Sequence, residues 1–211
     1  MQLINYLNKH FLTKDDLLTL SATSESEFEL LQNNKLMPAC SYKLAVSTNC
    51  NSFFGEHNEQ QKVEYYAKGY SSWLGILHSI KESDDVFLIF SKRYKQKLIE
   101  LKLQGIVSKD NKVNAGIDQH INEEWQHFIN GTYGLCTKSG LPEDIASKEV
   151  AILIINELTV NDHLFDDDLV RLTQAVNLLD SASALFAPHE RENSSRERLV
   201  NKVRRKYQLL S

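Results

Sequence analysis

Apolar residues recur every third or fourth position along most of this chain, and that spacing predicts helices nearly throughout. The first helix is expected over Leu3 to Phe11. Thr13 can cap a second, with Leu17, Leu18 and Leu20 on its inner side. Ser24 and Glu27 form a capping-box pair opening a third, which carries Phe28, Leu30 and Leu31, and Pro38 closes this unit. The stretch Tyr42 to Val46 alternates as a short strand does, and NCNSFFGEHN, Asn49 to Asn58, reads as loop.

Longer helices follow. One is expected from Glu59 to His78 with Val63, Tyr66, Tyr70, Trp73, Leu74 and Leu77 at helical spacing. Others are expected from Asp84 to Leu103 and from Ile117 to Ile129, separated by a turn at Asn111 to Gly116. Pro142, with Glu143 and Asp144 in the first turn, starts a helix through the apolar run VAILII, Val150 to Ile155. A buried strand is the alternative there; the start signal favours helix. From Phe165 the steps Leu169, Leu172, Val176, Leu179, Ser183 and Phe186 form a heptad-like seam lacking flanking charge pairs, as in a bundle helix. Asp166, Asp167 and Asp168 fall where carboxylates complement a helix dipole, not where they must ligate a metal. Leu199, Val203, Tyr207 and Leu210 continue an apolar stripe through a basic C-terminal segment.

Eight glycines and three prolines agree with this helical picture, and 42% hydrophobic residues suffice for a core. No apolar run approaches the roughly 20 residues that span a bilayer. MQLINYLNKHF lacks a secretory h-region, so a cytoplasmic location is expected. Cys40, Cys50 and Cys136 are too few and too dispersed for a disulfide framework or a zinc site, and read as reduced, mostly buried thiols.

FLTKDDLLTLSATSESEFELLQNNKLMP, Phe11 to Pro38, resembles the start of MerR-type regulators: a two-helix turn, then an apolar pair and proline where the chain enters the wing. The resemblance implies a winged helix-turn-helix. Its turn, SATSES, has no glycine, and the wing lacks the family's arginine and tyrosine pattern. The expected fold is therefore all-α, mainly a helical bundle, with a small winged helix-turn-helix-like module over residues 1–57 and a helical domain over 58–211.

Charge argues against DNA as the module's partner. A recognition helix gains affinity by neutralising phosphates. Thr13 to Asn34 holds five acids and one base, Lys14, and the third helix carries Glu25, Glu27 and Glu29; the whole chain is at −4. Specific DNA binding is not expected.

YLNKHFLTKDDLL, LMPACSYKL, YYAKGYSSWLG and GTYGLCTKSGLPEDIASKEVAI resemble an uncharacterised bacterial family labelled natural product biosynthesis protein. That resemblance implies a bacterial accessory protein and supplies no catalytic residues. Hydrolase elbow, P-loop, dinucleotide and zinc-protease motifs are all missing. The histidines, among them His57, His78, His120, His127 and His163, read as surface or capping residues, with Glu123 and Glu124 as solvated charge. No cofactor or metal is expected.

The expected function is that of a non-catalytic helical binding or adaptor protein for a protein or small molecule, monomeric or weakly dimeric. A MerR-like regulator is the alternative, and an accessory enzyme of secondary metabolism a third. The candidate surface is NGTYGLCTKSGLPED, Asn130 to Asp144, which holds Gly131, Gly134 and Gly140. Such a loop can bring backbone amides to a ligand, with Tyr133, Cys136, Thr137 and Lys138 as candidate binding residues and Cys136 as a conceivable nucleophile. The plainer account is that the glycines turn the chain between two packed helices.

Overall fold

The polypeptide begins with a helix, α1 (Gln2–His10), that runs straight into a three-residue strand, β1 (Phe11–Thr13). The structure is a computed structural model describing residues 2–80, 85–160 and 164–209. Thr13 ends β1 and caps α2 (Lys14–Ser21): the Asp16 amide donates to its Oγ1 at 3.1 Å, and the Asp16 carboxylate accepts in return from the Thr13 amide. Ala22, in a left-handed conformation, makes the glycine-free turn. Ser24 then caps α3 (Glu25–Asn33) by accepting from the Glu27 amide at 3.3 Å. Only that half of the expected capping box forms; the Glu27 carboxylate lies 3.5 Å from His78 Nε2 instead.

Downstream the helical expectation needs correction. β2 (Tyr42–Ser52) and β3 (Gly55–Ala67) form one long antiparallel hairpin, from Tyr42↔Tyr65 at its base to Ser52↔Gly55 at its tip. The region read as loop is the end of this hairpin, and the first nine residues of the helix expected from Glu59 are strand. β1 adds to β3 at Phe11↔Ala67, giving the order β1–β3–β2. Consecutive tyrosines show why a strand forms: Tyr65 packs on one face with Tyr6, Leu7 and Phe11, and Tyr66 on the other against Phe28, ring centres 5.5 Å apart. A helix would bury at most one of these faces. The boundary expected at 57/58 falls inside β3.

The remainder is helical: α4 (Tyr70–Ser79), α5 (Asp85–Leu103), α6 (Ile117–Ile129), α7 (Thr132–Cys136), α8 (Pro142–Thr159), α9 (Asp166–Ala182) and α10 (Lys202–Tyr207). The expected start at Asp84 lies outside the described residues, as do His163 and Leu210. α8 starts at Pro142, and Val150, Ala151, Ile154 and Ile155 are buried, so the VAILII run is a central helix. It packs between α5 and α9, where Leu172, Val176 and Leu179 of the seam face inward. The seam stops at Ala182, and Phe165 is exposed. Asp166, Asp167 and Asp168 occupy the first turn of α9. A π-helical turn, Glu197–Asn201, brings Val200 into the same core as Val203.

One core joins the N-terminal module to the helical body: Leu17, Phe28 and Met37 cluster with Trp73, Phe90 and Phe128.

Candidate functional site

The glycine-rich segment folds tightly onto its neighbours. Gly134 sits where a Cβ would overlap Ser41 Oγ, and Gly140, at φ 79°, where one would lie 2.6 Å from the Tyr70 ring. Both glycines are thus required by packing and backbone geometry. The start of α8 is not an open anion site either. Asp144 accepts from the Ser139 amide at 2.9 Å and from its hydroxyl at 2.6 Å, supplying the negative charge itself.

What the segment does form is one wall of a cavity. Thr137 and Ser183 make a β-bridge, with the Lys138 amide donating to Ala182 O at 2.8 Å and the Ala184 amide to Cys136 O at 3.3 Å. Against this bridge stand α1 and the residue Arg196, enclosing about 340 Å³ lined by Tyr6, His10, Thr137, Lys138, Ser183 and Arg196, among others. That volume suits a small molecule.

Of the four candidate residues, Thr137 and Lys138 line this cavity, whereas Tyr133 and Cys136 do not. The Thr137 hydroxyl is fully engaged, donating to Tyr133 O at 2.7 Å and accepting from the Gly140 amide at 2.9 Å. Cys136 is half-buried with its carbonyl accepting from Lys148 Nζ at 3.0 Å. All three cysteines are free thiols; Cys40 is half-buried, with its pKa pushed up to about 11 by burial, but Cys50 is exposed, contrary to expectation.

Two buried hydroxyls at the cavity, Tyr6 Oη and Ser183 Oγ, have no hydrogen-bond partner among the described residues. Burial pushes the Tyr6 phenol up to about 12, so it remains a donor at neutral pH. The charged residues of the lining, Lys138, Arg196 and Asp180, are net positive. Asp180 is shared by Arg196 and Arg204, which leaves that trio with one net positive charge. Lys138 is exposed and has no ion-pair partner among the described residues. His10 has its pKa lowered by burial and then by repulsion from Lys9, Lys68 and Arg191.

Tyr133 points elsewhere, into a polar cluster within the helices. Its hydroxyl donates to the Glu124 carboxylate, which is only 5% exposed. His120, equally buried, lies 3.7 Å from both Glu124 and Glu149, and the ring of Tyr94 stands edge-on to it. His120 and Glu124 are therefore not the solvated residues their sequence context implied. Burial pushes the Glu124 carboxyl up to about 7 and lowers the His120 pKa. Among the described residues, no group of three or more His, Cys, Asp or Glu could hold a metal ion.

A family model matches residues 86–208, which is 123 of the 211 residues and spans α5 to α10. The chain belongs to DUF6058, a family of unknown function. No curated protein and no solved structure matches it. The matched region contains the Glu124 cluster and the Thr137, Lys138, Ser183 and Arg196 wall of the cavity; Tyr6 and His10 come from outside it. No helix among the described residues is long and apolar enough to cross a membrane.

Proposed function

We propose that the chain is a non-catalytic binding protein whose ligand is a small molecule bearing a carboxylate or phosphate. The observation that carries this reading is a cavity lined by Lys138 and Arg196, whose wall also holds Tyr6 and Ser183 with their buried hydroxyls unpartnered among the described residues. Buried polar groups are normally satisfied, so two unpartnered hydroxyls in the wall of one cavity favour a polar occupant. The surplus of cations favours an anionic one. A binding role suits the lining better than catalysis, because Cys136 lies off the cavity and the Thr137 hydroxyl is fully engaged. An accessory role in bacterial secondary metabolism, in the cytoplasm, is the setting the sequence resemblance implies.

Thermal denaturation with inorganic phosphate, phosphate monoesters and small di- and tricarboxylates tests it. A ligand at about 100 times its Kd adds about 2.7 kcal/mol, or roughly 5–10 °C in a chain of this size. Lys138→Glu, a surface change, and Ser183→Ala, which removes a buried hydroxyl that has no partner to lose, are each expected to abolish that shift without lowering the unliganded Tm by more than a degree or so. A shift unchanged by both variants would place the ligand elsewhere.

The helix–strand–helix–helix–hairpin order over α1 to β3 supports a winged helix-turn-helix-like module, and with it the second reading, a DNA-binding regulator. Its charges favour a non-DNA use. Glu25, Glu27 and Glu29 are exposed, and the lone base, Lys14, pairs with Glu25 at 2.7 Å and lies 3.7 Å from Glu29. Fluorescence anisotropy with labelled duplex DNA at low salt should show no saturable binding; tight binding with a steep salt dependence would revive the regulator.

A further inference from the structure

The hairpin continues well past the core. Tyr42 and Leu44 still pack on the body and Val46 is half-buried, but every residue of the β2–β3 arm from Ser47 to Lys62 is exposed. Six strand residues reach about 20 Å at 3.3 Å each. At the tip stand Phe53 and Phe54, each 97% exposed and packed only edge-to-face on each other. A two-stranded ribbon with no third layer is marginal in water, and open edges are usually blunted by charge, proline or a bulge. Beyond Lys43 the outer edge of β2 has none of these. Its residues from Leu44 to Ser52, LAVSTNCNS, carry no charge and no proline, and pair in unbroken register with β3. No described strand pairs with that edge.

We infer that this edge pairs with the same edge of a second copy, β2 against β2 in antiparallel fashion, joining two hairpins into a four-stranded sheet. Charge supports self-pairing here. Identical strands oppose no like charges between Leu44 and Ser52, whereas the open edge of β3 carries Glu56, Glu59 and Lys62. The half-buried residues Tyr42, Leu44 and Val46 fix the parity of the register: even positions must lie opposite even positions, or one copy's apolar set meets the other's polar face. The tip fixes the rest. Pairing about a two-fold axis at Thr48 sets Phe53 beside the partner's Lys43 and Phe54 beside the partner's Tyr42, covering both rings. It also opposes Val46 to the partner's Cys50. Four phenylalanines at about 150–250 Å² each supply roughly 600–1,000 Å², and the paired strands carry the total past the roughly 1,200 Å² of a specific interface.

The test is cross-linking with the full chain. Thr48→Cys in a Cys50→Ser background should oxidise to a disulfide-linked dimer, because residues opposed across antiparallel strands have Cα atoms about 4.5–5.5 Å apart. Ser47→Cys and Asn49→Cys should lag behind it. Wild type should stay uncross-linked, since its two Cys50 residues would sit about 13 Å apart along the joint sheet. Light scattering should give twice the 24.2-kDa chain mass. Phe53→Ser with Phe54→Ser should weaken the dimer by at least about tenfold, as loss of interface anchors does. Because the arm makes no core contact, circular dichroism should be unchanged. A monomer throughout the micromolar range overturns the inference, as does a dimer indifferent to the Phe53 and Phe54 changes.

Discussion

Phe128→Ala is expected to destabilise the protein by about 3–5 kcal/mol, the usual cost of truncating a buried phenylalanine. Phe128 is fully buried, with ring centres at 4.9 Å to Trp73, 5.0 Å to Phe90, 5.5 Å to Trp125 and 6.0 Å to Tyr70. It thereby ties α4, α5 and α6 together beneath the N-terminal module. Four large rings cannot collapse into the space as aliphatic chains can, so the residual cavity stays large and the cost falls toward the upper end. Against a typical total of about 5–15 kcal/mol, that is a large fraction. Urea unfolding should show a lower midpoint at an unchanged slope. A loss under about 1 kcal/mol would mean that the cluster does not hold the body together, since only surface positions behave so.

Most of the helical scaffold was legible because helical periodicity and its end signals reside in neighbouring residues. Ile117–Ile129 and the Pro142 start are helices at the expected positions, and Thr13 and Ser24 cap as expected. The hairpin was not legible, for a physical reason. Its outer part, EHNEQQK, buries nothing and so shows no alternation, while Val63, Tyr66 and Tyr70 happen to stand three and four apart. Only a partner strand distinguishes that pattern from a helix. The cavity was half legible. Glycine spacing pointed to the segment holding Thr137 and Lys138, but Tyr6, Ser183 and Arg196 converge from distant parts of the chain with no motif between them. The Glu124 cluster does carry a signal in the sequence. Glu124 follows Ile121 by three and precedes Phe128 by four, so it lies within the buried stripe of α6 rather than beside it.

That placement leads to a pH effect of comparable size. Burial is the main reason the Glu124 carboxyl titrates near 7 rather than at the ordinary 4.5; Glu149 adds repulsion, and the hydrogen bond from Tyr133 acts in the opposite sense. Around it stand Tyr94 of α5, His120 and Glu123 of α6, Tyr133 of α7, Glu149 of α8 and Lys112. Below about pH 4.5 the carboxyl is protonated in both folded and unfolded chains, so the stability it confers as a neutral group is fully present. As pH rises toward 7 the unfolded chain releases the proton and the folded one holds it, so stability falls. The whole loss is roughly 3 kcal/mol, reached just above pH 7. His120, whose pKa is lowered, works in the other direction, so the wild-type profile alone mixes two opposing slopes. Glu124→Gln separates them, because a neutral amide keeps an acceptor for the Tyr133 hydroxyl and cannot ionise. The variant should match the wild type near pH 4.5 and exceed it by up to about 3 kcal/mol at pH 8, as read by urea unfolding across that range. A difference that does not change with pH would show that Glu124 does not titrate in this window.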